Sequence, residues 1–173
     1  MRILTVRQPW AWAIIHGQKS VENRPRNIAG GYRGPVAIHA GLAYDKGSHE
    51  RSRTLREAQD RAAVAAGAEV FAGGYLWDFD APDPRKQWSV GGSIVGVVDL
   101  VDVHRHGITV QKQPGGPFEE VSCSPWAIPG DHHLVLANPR PLAEPIPYKG
   151  ALGLRRLDPE TILAITRQIG RTA

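Results

Sequence analysis

The chain has 173 residues, with 21 Lys+Arg against 17 Asp+Glu and a net charge of +4, a length that fits one domain with a full core. Its single cysteine, Cys123, excludes an internal disulfide and any multi-cysteine zinc site, and it fits a reducing, cytoplasmic location. No segment approaches the roughly 18 apolar residues of a membrane span, and the charged N-terminus carries no leader-like apolar run.

Ile3 to Val6 reads as a first strand. Pro9 then presets φ for the first turn of a helix with Trp10, Ala11, Ile14 and Ile15 along its apolar side, and Gly17 is expected to take the left-handed cap. Tyr32 to Ala40 reads as a second strand, with Val36 and Ile38 on one face and Ala37 and His39 on the other. Ser48 to Ala66 has helical composition, and its thin stripe through Leu55, Ala58, Ala62 and Ala65 predicts a surface helix at the rim of the core.

Residues 67–92, punctuated by Gly67, Gly73-Gly74, Pro82, Pro84 and Gly91-Gly92, read as a long loop. Ser93 to His104 carries valines on both faces and predicts a central strand, followed by a second Gly/Pro-rich excursion over 105–130. His133 to Ala137 and Ala151 to Leu157 read as two further strands separated by a segment broken by Pro139, Pro141, Pro145 and Pro147. Asp158 as N-cap and Pro159 in the first turn predict a closing helix over 159–169, with Ile162, Ile165 and Ile169 on its apolar side. Few helices and several separated strands predict an α+β fold: a small β-barrel of five to six mostly antiparallel strands with peripheral helices, in one domain over 1–173.

Charge is uneven along the chain. Residues 1–60 hold ten basic and five acidic side chains and the rest hold eleven against twelve, which points to an anionic partner at the N-terminal third. Arg outnumbers Lys sixteen to five, a bias toward planar, bidentate recognition of phosphates and base edges.

The densest chemistry lies in Gly17-Gln18-Lys19-Ser20-Val21-Glu22-Asn23-Arg24. Charged side chains are seldom buried unless paired, so this stretch is a solvated face, a structural ion pair or the lining of a polar cavity. Lys19 and Glu22 are three apart, and an extended strand sends such residues to opposite faces, so a shared cavity requires a bend between Gly17 and Val21.

Two roles are then open for the pair. In a binding site, Lys19 contacts a phosphate or carbonyl oxygen, Glu22 accepts from a base amino group, and Arg7, Arg24 and Arg33 track the backbone. In a hydrolytic site, Glu22 is the general base and Lys19 stabilises the oxyanion. Trp10, Trp12 and Trp126 are candidates to stack on unpaired bases; Trp10 sits on an apolar helix stripe, which favours its burial, and Trp126, in a Ser-Pro-Trp loop, is the stronger stacking candidate.

His39 with His132 or His133 is the one pairing that invites a metal, but without finger-like or HExxH spacing no metal site is expected, and His39 is taken as a cleft residue. Asp78, Asp80 and Asp83 lack the glycine and terminal glutamate of a calcium loop. Cys123 has no base partner near it in sequence and is not read as a nucleophile.

The motif Gly17-x-Lys19-x-x-Glu22-x-Arg24, together with Leu4-Thr5-Val6-Arg7-Gln8-Pro9-Trp10-Ala11, Tyr32-Arg33-Gly34-Pro35-Val36-Ala37-Ile38-His39-Ala40 and Pro147-x-Lys149-Gly150-x-Leu152-Gly153-Leu154, resembles the ASCH domain family of PUA-like β-barrels over roughly residues 2–157. The resemblance implies a cleft with the motif's Lys and Glu on its floor, in a superfamily that often binds RNA or modified bases. Members are implicated in RNA binding and coactivator-linked roles, and a few are reported as ribonucleases. One small bacterial branch hydrolyses the amide of acetylated cytidine with a Lys and a Thr of this motif; Glu22 stands here at the Thr position, and that branch's further catalytic Glu is not placed on this sequence.

The leading expectation is a module binding RNA or another single-stranded nucleic acid, with no cofactor. The alternative is a hydrolase of a modified nucleoside amide or an RNA phosphodiester, and a third reading is a module for a protein partner.

Overall fold

In a computed structural model, which describes residues 1–71, 74–76, 88–105, 108–111, 113–116 and 118–170, the chain runs β1 (Arg2–Gln8), α1 (Trp10–Ile15), β2 (Val21–Arg24), β3 (Gly34–Tyr44), α2 (Ser48–Arg51) and α3 (Arg53–Ala65). It continues through β4 (Glu69–Phe71), β5 (Gly74–Leu76), β6 (Ser93–His104), β7 (Ile108–Gln111), β8 (Phe118–Val121), β9 (His132–Pro147), β10 (Leu154–Arg156) and α4 (Pro159–Ile169). Six strands form one sheet in the order β10-β1-β3-β6-β9-β2. The β1–β3 pair is parallel, its crossover supplied by α1 and β2, and the other neighbours are antiparallel.

The α+β class and the mostly antiparallel pairing match expectation, but the sheet is not closed into a barrel. Its edges are β10 and β2, of three and four residues, and no ladder joins them.

Alternation along the strands builds two cores. Leu4, Val6, Val36 and Ile38 face α1, where Ala11, Ile14 and Ile15 meet them. Ile3, Ala37, Ile94 and Val97 face the opposite way, onto Leu142, Leu157 and Ile165 of the closing segment and α4. A third cluster joins Trp12 and Val21 to Leu55 and Ala58 of α3 and to Trp88 and Trp126. Each fully buried Ile or Leu contributes about 1.5–3 kcal/mol, so α1 is clamped between two apolar clusters and its C-terminal exit is rigidly placed.

That exit differs from expectation in one residue. The left-handed position is Gln18, at φ 61°, and Gly17 is small for another reason: a Cβ there would lie 2.9 Å from Ala13 Cα and 3.2 Å from Trp12 Cζ3. The N–H groups of Gly17 and Lys19 both donate to the Ala13 carbonyl at 2.9 Å, which turns the chain sharply into β2.

Other boundaries moved as well. The helix expected over 48–66 breaks at Ser52, whose extended backbone and side-chain acceptor for Leu55 N cap α3 anew. Ala63, not Ala65, completes its buried side. The proline-rich segment after Ala137 is not a connection but the second half of β9. β2 pairs β9 only up to Val135, so the prolines fall where β9 borders a single strand, and two of the register shifts in the β6–β9 ladder lie among them.

The two excursions contain the β4–β5 and β7–β8 hairpins. Trp77, Asp78, Asp80 and Asp83 lie outside the described residues. α4 begins as expected, with the Asp158 carboxylate accepting from Thr161 N at 2.8 Å.

At Gly96 an added Cβ would come within 2.6 Å of Ile15 Cδ1 and 2.8 Å of the Arg140 carbonyl oxygen. Gly96→Ala is therefore expected to destabilise the fold by about 1–3 kcal/mol through overpacking, as read by the urea midpoint; an unchanged midpoint would contradict this packing.

Candidate functional site

The turn at Gln18 settles the geometry of the charged motif. Lys19 sits just before β2 and folds its side chain along it, donating from Nζ to the Val21 carbonyl and, at 3.1 Å, to Glu22 Oε2. Glu22 and Arg24, two apart on the strand, share a face, and Arg24 Nη2 reaches Glu22 Oε1 at 3.1 Å and the Thr5 carbonyl at 3.0 Å. The carboxylate is thus held between two cations.

Lys19 and Glu22 are only 4% and 8% exposed, which rules out the solvated-face reading. Burial lowers the Lys19 ammonium below its usual range, Glu22 pulls the other way, and Arg24 adds a smaller lowering.

Trp10 stands beside this array, its ring centroid 5.9 Å from Lys19 Nζ. Its indole N–H donates to Asp45 Oδ2 at 3.0 Å. Asp45 in turn accepts from Arg51 Nη2 at 2.6 Å and 2.8 Å, and these bonds hold its carboxyl below the usual range, Arg51 first. The ring orientation is therefore fixed before any ligand arrives.

Two hollows of about 730 Å³ and 530 Å³ open on either side of a wall made by Trp10, Glu22, Asn23 and Asp45, which line both. Both volumes are in the range that small ligands or single bases occupy. The larger is lined further by Arg7, Arg24, His39 and the loop over Tyr148–Gly153, Lys149 included. The smaller is lined by Lys19, Arg51, Arg53, Trp126 and Ile128.

Asn23 ties the two sides together. Its Nδ2 donates to the Trp126 carbonyl at 2.8 Å and its Oδ1 accepts from Ile128 N at 2.9 Å. Trp126 Nα–H also donates to Ser124 Oγ at 3.2 Å.

The tryptophans exchange their expected places. Trp10 is half-buried and forms the shared wall, whereas Trp126 is 8% exposed and packs in the third core cluster while showing one edge to the smaller hollow. Arg33 is not in either hollow: it pairs with Asp102 at 3.4 Å and donates to the Tyr32 carbonyl at 2.8 Å. Asn23, Asp45 and Lys149 also line the hollows and were not expected there; Asn23 lay inside the motif, but Asp45 offered no sequence signal.

His39 is buried, its Nε2 within 2.9 Å of the Tyr148 carbonyl and its Nδ1 without a partner. A Cβ on Gly150 would lie 2.6 Å from the His39 ring, so only glycine lets the loop cover it. Burial pushes His39 below the usual imidazole value of 6.5, with the Tyr148 bond opposing. The unfolded chain then takes up its proton first as the pH drops, so this stability is complete above 6.5, declines as the pH falls through it, and levels off below the folded value. Burial moves His16 the same way. Denaturant unfolding at about pH 7.5 and about pH 5 is expected to show the decline, and His39→Asn to reduce it without abolishing it.

His39 does not meet His132 or His133 as a metal pair. His133 lies instead against Cys123, with Sγ to Nδ1 at 3.2 Å, so the cysteine does have an imidazole neighbour, ten residues away. Burial raises the Cys123 thiol, the opposite of an activated nucleophile. Among the described residues, His104, Cys123 and His133 are the group whose ligand atoms converge, all within 4.8 Å of one another.

Among the described residues no helix is long and apolar enough to cross a membrane. No curated protein matches the chain at a significant level. The sequence model of the ASCH domain matches residues 4–146, which takes in β1, the charged motif, both excursions and nearly all of β9, and stops short of the Lys149 loop. A match over so much of the chain places the protein in the ASCH domain family.

Proposed function

We propose that the chain acts as a single nucleic-acid-binding module that receives an unpaired base of RNA or another single strand at the wall between the two hollows. The observation that carries this reading is the buried Lys19–Glu22–Arg24 array set beside the half-buried, pre-oriented ring of Trp10. A carboxylate has about four acceptor positions; the two cations occupy one on each oxygen, which leaves Glu22 able to accept from a base amino group. Trp10 offers a stacking face, and Arg7, Arg24 and Lys149 surround the larger hollow with positive charge for phosphates. Leu42 and Leu152, 88% and 90% exposed at its mouth, add apolar contact for a second base.

Titration of fluorescent single-stranded RNA across salt tests the reading. Affinity is expected to fall with salt by about 0.7 in log–log slope per phosphate neutralised. The double variant Arg7→Ala/Lys149→Ala should flatten that slope by about 1.4, and Arg33→Ala should leave it unchanged. Binding indifferent to salt and to these basic residues would remove the proposal.

A second reading, hydrolysis of a modified nucleoside amide or an RNA phosphodiester, is favoured by one observation, the lowered Lys19 ammonium. Incubation with acetylated cytidine and with RNA distinguishes the two: turnover lost in both Lys19→Ala and Glu22→Gln supports the enzyme, and no turnover supports the binder.

A further inference from the structure

We propose that His104, Cys123 and His133 form a three-ligand site for a zinc-class cation, at the far end of the β6–β9 ladder. His104 and His133 are direct cross-strand partners in that ladder, so two rigid strands place their rings beside each other, centroids 5.4 Å apart and planes at 85°. Cys123 arrives from the segment after β8 and sets its Sγ 3.2 Å from His133 Nδ1. All three ligand atoms lie within 4.8 Å of one another. A tetrahedral zinc at usual bond lengths spaces its N and S ligands roughly 3.3–3.6 Å apart, so a small inward closure of the three side chains completes the site.

The outer bonds of both rings are those a metal-bound imidazole makes. Asp102 Oδ2 accepts from His104 Nδ1 at 2.9 Å, which leaves Nε2 as the bare nitrogen, and that atom is buried without a partner. The Ile128 carbonyl accepts from His133 Nε2 at 2.9 Å, which leaves Nδ1 with its lone pair toward Cys123. Each ring is therefore held in a tautomer with one bare nitrogen, Nε2 of His104 and Nδ1 of His133.

The donor set selects the ion. Two imidazoles and one thiolate suit zinc, cobalt or copper and are poor ligands for magnesium or calcium, which require oxygen. His104 is about one-third exposed as a side chain, so the group lies near the surface although its Nε2 is itself buried. Coordination expels the thiol proton, so affinity falls with falling pH.

The structural consequence reaches the candidate interface. Cys123 and Ile128 bracket the segment carrying Trp126, and Asn23 of β2 holds that segment from the other side. A bound ion would pin the wall of the smaller hollow to the sheet.

The test uses the full-length reduced protein, stripped with chelator and titrated with Co²⁺, then with Zn²⁺. Expected are one cobalt per chain, a thiolate-to-cobalt charge-transfer band in the near ultraviolet, and displacement by one equivalent of zinc. Cys123→Ser should lose the charge-transfer band, and Asp102→Asn should weaken cobalt binding by about 10–100-fold, while His49→Ala, at an exposed site away from the group, should bind like the parent. The proposal is overturned if the parent, with unchanged far-ultraviolet circular dichroism, shows no such band at saturating cobalt, or if stoichiometric binding survives both Cys123→Ser and His104→Ala.

Discussion

Lys19→Met is expected to lower the unfolding free energy by about 3 kcal/mol, the low end of the cost of breaking a buried ion pair. Methionine keeps most of the side-chain volume, so the loss reports charge and hydrogen bonding. Without the ammonium, Glu22 keeps only Arg24 on its other oxygen, and the Val21 carbonyl loses its donor. Arg24 is why the loss stays at the lower end. Glu22→Gln leaves two cations facing one neutral amide and should cost a similar amount, whereas Lys19→Met/Glu22→Leu should recover part of the loss, since replacing a whole buried pair with apolar side chains is often near neutral. Denaturant unfolding of the parent and the three variants reads these losses. A change under about 1 kcal/mol in Lys19→Met would mean that the pair is solvated rather than buried.

Trp10→Ala is expected to weaken single-stranded RNA binding by about 1–3 kcal/mol, roughly 5- to 150-fold, the range for one stacked base. Trp126→Ala is expected to act differently. That ring is buried against Trp12, Leu55 and Trp88, so its removal should cost about 3–5 kcal/mol of fold stability. The two variants together separate a contact surface from a core filler: fluorescence titration reads the first and thermal unfolding the second. Equal RNA affinity of Trp10→Ala and the parent would take the stacking face away from the proposed interface.

Where sequence reading failed, it failed on long-range placement. Trp10 is less buried than Trp126, the reverse of the expected burial, because a helix stripe shows which residues share a side, not which neighbour covers that side. Arg33 was grouped with the cleft arginines on charge alone, and in the fold Asp102, 69 residues away, takes it. The His104–Cys123–His133 group was invisible because its members join only through the β6–β9 register and the return of the segment after β8.

By itself the chain determined the local elements and the chemistry of the motif. The strand at 93–104 and the helix at 159–169 follow from alternation, capping and proline placement, all of which act within a few residues. Only the tertiary structure decided that the sheet stays open, that β9 continues through its prolines, and that Lys19, Glu22 and Arg24 are buried together beside Trp10. Those outcomes depend on strand register and on which apolar faces meet, and both are set by contacts between residues far apart in the chain.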